Sequence, residues 1–282
     1  MTNYLVYDVF TEHAFGGNQL AVFPDASGIP EDMLQSVAAE FNFSEVTFVY
    51  PASDPKHTAR VRIFTPTSEV DFAGHPVIGT IIALSGLGYT SPMILELGIG
   101  PLPCRIDAGT ASFTTSVPLQ HISEPDPAFV AKALGLPLAA IRTDTHVPVQ
   151  ASLGLPFVIA ELDSPASLAA CMPNIAVIRE GAERYPAGLD FAVFAYVRRG
   201  DQISSRMFAP LDNIQEDPAT GSASATLAAL LTQLLGAPQS LSFSQGVQMG
   251  RPSRIEATTT QNPISVTIAG QAVQTMAGKF IL

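Results

Sequence analysis

Tryptophan is absent from this chain of 282 residues, and only two cysteines, Cys104 and Cys171, are present. They stand far apart, with no CxxC pair and no neighbouring histidine, so a disulfide framework and a thiolate metal site are excluded. Both read as buried, reduced thiols, which points to the cytoplasm. Cations are scarce as well. Fourteen Lys+Arg face 25 Asp+Glu, a net charge of −11, and nucleic acid is not an expected partner for a chain without a basic surplus. The longest apolar run, Val77 to Leu87, is about half of what a membrane span needs. The first eight residues lack the basic and apolar regions of a signal peptide. Neither a phosphate-binding GxxxxGK[ST] loop nor HExxH nor GxSxG occurs, and no GxGxxG follows a strand and opens a helix. No cofactor and no metal are expected. Cofactor-free proton chemistry survives these exclusions best.

What the chain does hold is a long-range repeat. Arg62-Ile-Phe-Thr-Pro66 returns as Arg206-Met-Phe-Ala-Pro210, at an offset of 144 residues. Glu69, Gly74 and His75 return as Glu216, Gly221 and Ser222 at an offset of 147, the difference being absorbed in the loop after Pro210. A period of half the chain means two related domains and not a solenoid, whose periods are roughly 20–50 residues. Hydrophobic residues make up 47% of the chain and charged residues 14%, which suffices for two buried cores.

Tyr4–Phe10 reads as a strand, Gly16-Gly17-Asn18 as a turn and Leu20–Phe23 as the returning strand. Pro30–Glu40 reads as a helix with Met33, Leu34, Val37 and Ala38 inward. Val46–Tyr50 and Ala59–Phe64 alternate as strands. Val77–Leu84 is apolar nearly all round, the pattern of a helix buried on every side, although its β-branched residues leave a strand open. The second half repeats the plan with strands Phe191–Val197 and Gln202–Phe208. The Ala/Leu-rich run Ala223–Leu235 is a secure helix, and by the repeat it supports a helix in the first copy. Ser116–Pro127 reads as a polar crossover, Pro127–Leu134 as a short helix stopped by Gly135, and residues 265–282 as two strand-like runs. Mixed strands with few helices give an α+β class. The domains expected are residues 1–117, with a strand at about 271–282 returning to them, and residues 118–270.

In each copy a glycine-bearing loop feeds a helix. The first N–H groups of a helix lack internal partners, and its dipole adds positive potential there. Gly74 and Gly221 allow a ligand close to the backbone. Two such termini facing one cleft would cradle a carboxylate without Lys or Arg, which suits an acidic protein. His75 and Ser222 stand at the two helix mouths, placed to donate or relay protons. Asp217 precedes the second glycine loop and reads equally as an ordinary loop acid or N-cap. Glu45, at a strand start beside bulky apolar neighbours, is a candidate acid–base group whose surroundings would raise its pKa.

These residues resemble the PhzF-like (phenazine-biosynthesis isomerase) family, relatives of diaminopimelate epimerase. The resemblance rests on Asp8-Val-Phe-Thr11, Gly17-Asn18-Gln-Leu-Ala-Val22, Asn42-Phe-Ser-Glu45-Val-Thr-Phe, Asp71-Phe-Ala-Gly-His-Pro76, Glu216-Asp-Pro-Ala-Thr-Gly-Ser-Ala223, and Gln245-Gly246 with Gly250-Arg-Pro-Ser253, which run nearly the length of the chain. It implies two similar domains, each a curled, mostly antiparallel sheet around a central helix. It also implies a homodimeric, cofactor-free isomerase that moves a proton on a small carboxylate. By resemblance Glu45 is the catalytic acid/base, and His75, Asp217 and Ser222 are its supporting groups. Gly74, Gly221 and Asn18 bind substrate. The paired cysteines of the epimerase relatives are missing from the corresponding loops, so a two-thiol racemase is not expected. Gln19 stands where the family commonly has Pro after Gly-Asn. The alternatives are a non-catalytic protein that binds a small carboxylate or a protein partner on the same fold, and a hydrolase or lyase built on Asp217 and Ser222.

Overall fold

The computed structural model describes residues 1–187 and 190–281. Its elements begin with β1 (Thr2–Val9), β2 (Asn18–Phe23), α1 (Leu34–Phe41), β3 (Glu45–Tyr50), β4 (Ala59–Phe64), β5 (Glu69–Val70), α2 (Gly74–Gly86), β6 (Met93–Leu97), β7 (Gly100–Asp107) and β8 (Thr110–Thr115). There follow β9 (Gln120–Ser123), α3 (Pro127–Ala133), β10 (Val149–Ser152), β11 (Pro156–Glu161), α4 (Pro165–Ala170), α5 (Ile175–Arg184), β12 (Val193–Arg199) and β13 (Gln202–Ala209). The chain ends with β14 (Ile214–Asp217), α6 (Gly221–Leu235), β15 (Ser240–Gln245), β16 (Ser253–Thr259), β17 (Val266–Gly270) and β18 (Ala272–Phe280). Two compact units result, one of residues 1–115 with 267–282 and one of residues 116–266. The class is α+β.

Within the first unit β1 pairs antiparallel with both β2 and β18, which carries the C-terminal run back onto the N-terminal strand. Leu282, the last residue of the expected tail strand, lies outside the described residues. β2 runs parallel to β3, β3 antiparallel to β4, and β4 parallel to β6. The second unit repeats this order: β11 parallel to β12, β12 antiparallel to β13, β13 parallel to β15. The internal repeat read in the sequence is therefore a repeat of strand pairing. The segment expected as a bare crossover, residues 116–127, holds one strand, β9, which pairs with β10. The first strand stops at Val9 because Phe10 takes a left-handed backbone, φ 65°.

Each unit has one helix that its sheet encloses. Ten of the thirteen residues of α2 are buried, as are eleven of the fifteen of α6. A surface helix such as α1, by contrast, buries only Leu34, Val37 and Ala38. This settles the open choice for Val77–Leu84 as helix. The fit of α2 to its sheet depends on Gly79, where an added Cβ would come within 2.5 Å of Leu20 and 2.8 Å of Val9. Thr80, the polar residue facing inward, donates to Thr47 at 3.1 Å, so enclosure leaves its hydroxyl satisfied. Both cysteines are buried free thiols, with pKa values pushed up by burial to about 12 for Cys104 and about 11 for Cys171.

The repeated Arg…Glu spacing folds into the same ion pair twice. Arg62 Nε and Nη2 lie 2.6 and 2.7 Å from the two Glu69 oxygens, and the corresponding Arg206–Glu216 distances are 2.8 and 2.7 Å. Each guanidinium also stacks on the phenylalanine two residues on, at 5.2 Å for Phe64 and 4.8 Å for Phe208. Their surroundings differ. The Arg62 side chain is 24% exposed, whereas Arg206 is buried and Nη1 also donates to the carbonyls of Leu168, Ala169 and Cys171 at the end of α4. The last carbonyls of a helix lack i+4 partners, and here the C-cap Cys171 N–H reaches only Leu168, at 3.4 Å. Replacing Arg206 by Met should therefore cost about 3–5 kcal/mol, the range for breaking a buried pair. Arg62→Met should cost under about 1 kcal/mol, as for an exposed pair. Urea-unfolding midpoints of the two variants check this, and equal shifts would refute it.

Candidate active site

In the first unit the enclosed helix begins where three strands end. α1 closes on Asn42 in the left-handed conformation, φ 52°, which turns the chain through Phe43 and Ser44 into β3. Glu45 is thus the first residue of β3, in parallel register with Leu20 of β2. Asn18 opens β2 opposite Val9. Gly17, φ 59°, precedes it, and a side chain there would collide with the Val9 carbonyl. His75 is the second residue of α2, whose N-cap, Ala73, supplies no side-chain hydrogen bond.

These placements bring Glu45, His75 and Asn18 together, with Gly74 beside them. Nδ1 of His75 lies 3.4 Å from Glu45 Oε2 and 3.4 Å from Asn18 Nδ2. Ser44 Oγ stands 3.4 Å from Asn18 Oδ1. His75 is 3% exposed, and burial pushes its pKa down to about 3, with the Gln19 backbone acting weakly the other way. The imidazole is neutral at pH 7. A neutral ring has one N–H, and Nδ1 faces two groups of opposite demand. Glu45 Oε2 and Nδ1 approach within ion-pair distance but are not aligned as a hydrogen bond to each other.

The second unit holds Asp217, Gly221 and Ser222. Asp217 ends β14 opposite Met207 and is buried. It does not cap α6, whose N-cap is Thr220 without a side-chain bond. Thr220 Oγ1 donates to Asp217 Oδ2 at 2.5 Å. Gln245, at the end of β15 and fully buried, donates to the Asp217 carbonyl at 2.7 Å and to Thr220 Oγ1 at 2.8 Å. Its carbonyl accepts the Thr220 N–H at 3.2 Å. Ser253 hydrogen-bonds the Pro218 carbonyl, and a side chain on Gly246, φ 72°, would meet the Arg251 and Pro218 carbonyls. Asp217 is thus held by its strand pairing, by Thr220 and by Gln245, and Pro218 after it by Ser253. Gly221 and the half-buried Ser222 are the first two residues of α6.

Sequence reasoning missed Ser44, Thr220, Gln245 and Ser253 as parts of these clusters. For Gln245 a signal existed: it ends the alternating run Leu241, Phe243, Gln245, where a third apolar residue would be expected. Among the described residues no group of three or more His, Cys, Asp or Glu is placed to hold a metal ion, and no helix is long and apolar enough to cross a membrane.

A family model described as phenazine biosynthesis-like protein (PhzC–PhzF) matches residues 7–278. A Pseudomonas aeruginosa protein named trans-2,3-dihydro-3-hydroxyanthranilate isomerase is 36% identical over 266 residues, covering 91% of this chain and 90% of that one. A Mesorhizobium japonicum protein, named an uncharacterized isomerase, is 35% identical over 298 residues, covering 99% of both. The crystal structure of a PhzF-family phenazine biosynthesis protein from Bacillus anthracis superposes with a TM-score of 0.88 at 23% identity, covering 100% of this chain and 99% of that one. At that identity the likeness is one of fold.

The depressed pKa of His75 has a sign that can be checked. As pH falls from about 6.5 toward 3, the unfolded chain takes up a proton that the buried imidazole refuses. Stability supplied by the neutral ring is complete above about pH 6.5 and is lost below it, at a slope of up to about 1.4 kcal/mol per pH unit. Asp190, raised to about 6 by burial, slopes the other way in wild type and variant alike. His75→Asn should flatten the fall of the urea midpoint between pH 7 and 5, and parallel curves would show that His75 is not held neutral.

Proposed function

The chain belongs to the phenazine biosynthesis-like family and is an isomerase, and from that premise we propose that Glu45 removes a proton from a carbon acid and returns it at another carbon of the same substrate. The observation that carries this is the 3.4 Å approach of Glu45 to a neutral, buried histidine at the uncapped start of α2. A carboxylate beside a charged imidazolium would be held ionised. Beside a neutral ring it can take the proton and give it back.

The substrate class follows from the helix terminus. Pro76 has no N–H, and Val77 donates to the Ala73 carbonyl, so Gly74 and His75 carry the donors that α2 leaves without an intrahelical partner. They suit a substrate carboxylate. When the neighbouring C–H is broken, negative charge flows into that carboxylate, and the positive end of the helix stabilises the added charge in the transition state. A small cyclic, unsaturated carboxylic acid of the kind named for the Pseudomonas aeruginosa relative fits this chemistry. Asp217, Gly221 and Ser222 are the proposed supporting residues, with Asp217 oriented through Thr220 and Gln245. A cytoplasmic homodimer that uses no cofactor completes the proposal.

Incubation with trans-2,3-dihydro-3-hydroxyanthranilate in D₂O tests it by mass spectrometry and NMR. Rearrangement without a net change of atoms, other than exchange of hydrogen for deuterium, is expected in the wild type. Glu45→Gln should lower turnover about 10²–10⁴-fold, the usual worth of a general acid–base group. Near wild-type turnover in that variant would sink the assignment. Unaltered turnover in Asp217→Asn would remove Asp217 from the supporting residues, and ligand binding without exchange or rearrangement would favour a binding protein.

A further inference from the structure

The connection between β1 and β2 is longer than the hairpin requires. Val9 pairs with Asn18, leaving eight residues, 10–17, to join neighbouring antiparallel strands that two residues can join. The surplus is folded tightly. Phe10 is fully buried against Gly270, and the N–H groups of Phe10 and Thr11 donate to the Gln271 carbonyl at 2.7 and 3.3 Å. Thr11 Oγ1 donates to the His13 carbonyl, and the Gly16 N–H returns to the same carbonyl. The loop ends on Gly17 and then on Asn18, which touches His75.

At the tip stands Phe15. Its side chain is 78% exposed, the most exposed aromatic residue among those described. Its backbone is left-handed, φ 71°, a conformation that costs a non-glycine residue of order 1 kcal/mol or more. The buried carboxylate of Asp8 imposes it, accepting the Phe15 N–H at 2.7 Å. The ring stands outside the neighbouring core of Val6, Phe23 and Phe48, and a glycine would take this backbone without strain. Strain held by a buried group, and used to present an apolar ring three residues before the Asn18 that touches His75, is what a ligand clamp needs.

We propose that Phe15 is a substrate-contact residue of the Glu45–His75 site, laying its ring on the face of a small cyclic carboxylate and favouring planar, unsaturated rings over puckered ones. Offset or edge-on packing between aromatic groups supplies that preference, whereas a puckered ring presents axial hydrogens to the phenyl face. The inference deepens the isomerase reading and rests on it for the position of the ligand.

Because the chain has no tryptophan, Phe15→Trp introduces a single indole whose emission reports directly on residue 15. The probes are benzoate and cyclohexanecarboxylate, which share a carboxylate and a six-membered ring and differ in planarity. Tyr89→Trp, beyond the far end of α2, is the control. Benzoate should change the emission of Phe15→Trp saturably and leave Tyr89→Trp unmoved. Calorimetry on the unlabelled protein should show benzoate binding about 2- to 12-fold more tightly than cyclohexanecarboxylate, with the ratio falling to near 1 in Phe15→Ala. Emission that stays constant with both acids up to their solubility overturns the contact, and so does an unchanged ratio in Phe15→Ala. Neither readout uses turnover. If Glu45-dependent isomerisation is seen while residue 15 stays silent, the contact fails and the isomerase reading stands. If residue 15 responds while no proton is ever moved, the contact stands and the isomerase reading fails.

Discussion

A helix enclosed by its own sheet has no solvent side on which to place polar residues, and both units are built around this constraint. In α2 the sequence Val77-Ile-Gly-Thr-Ile-Ile-Ala-Leu84 answers it with apolar residues, one glycine at the closest approach and one threonine that finds Thr47. In α6 small residues answer it first, Ser, Ala and Thr from 222 to 226, and then Leu and Ala. Enclosure also fixes where the chemistry sits. The only polar parts of an enclosed helix are its ends, and at its start the free N–H groups and the dipole provide positive character that no side chain has to supply. Neither α2 nor α6 spends a side-chain cap on its first turn, although Asp126, Ser164 and Asn174 cap α3, α4 and α5. α2 and α6 share this open start with α1, but only in α2 and α6 is the open end that of an enclosed helix.

Loops that deliver such helix starts have to be held without filling the space in front of them. The repeated arginine does this from behind. Its fork grips the glutamate that follows in the loop and its plane covers a phenylalanine, fixing strand and loop together on the face away from the enclosed helix. The second copy has gone further, burying Arg206 and using it to satisfy the end of α4. A lysine could not replace it, since a single ammonium cannot match two carboxylate oxygens and three carbonyls in one plane.

Most of this architecture was legible because it is periodic or repeated. Helix and strand types followed from apolar spacing, and the ambiguous Val77–Leu84 was resolved by its better-behaved copy at Ala223–Leu235. The two loops carrying His75 and Asp217 could be singled out from their glycines and their recurrence, whereas Glu45 stood only as a candidate beside apolar neighbours until the family resemblance gave it a role. What could not be read was set by contacts between residues distant in sequence. Gln245 reaches Asp217 and Thr220 across 28 and 25 positions, and the alternation that marks it as facing inward does not say which groups its amide meets. The protonation of His75 was equally hidden, because it depends on complete burial, and burial at a helix mouth is a property of the folded sheet. The strand expected through Phe10 ended one residue early for a similar reason: Gly270 makes room for the Phe10 ring, and the turn follows from that distant pairing.

The excess of acidic residues gives the site its sharpest physical test. A chain of net charge −11 repels a carboxylate at long range, yet the site proposed here receives one. At physiological ionic strength the Debye length is about 8 Å, so surface charges beyond that distance contribute little at the start of α2. The fields that remain are local: two backbone N–H groups, the end of a thirteen-residue helix, a histidine kept neutral, and Glu45 itself. Of these only Glu45 opposes the ligand, and only while ionised. A substrate whose carboxylate rests on the helix while its C–H faces Glu45 separates the two negative groups by the width of the reacting part of the molecule. Proton transfer then removes the charge on Glu45 as it builds up on the substrate, and total charge at the site is conserved while its location moves toward the helix. A lysine or arginine in that position would hold the substrate more tightly before reaction. It would also hold Glu45 ionised and make the proton harder to accept. Under the proposal, binding by backbone alone avoids that conflict, and the chain's net negative charge is no obstacle to it.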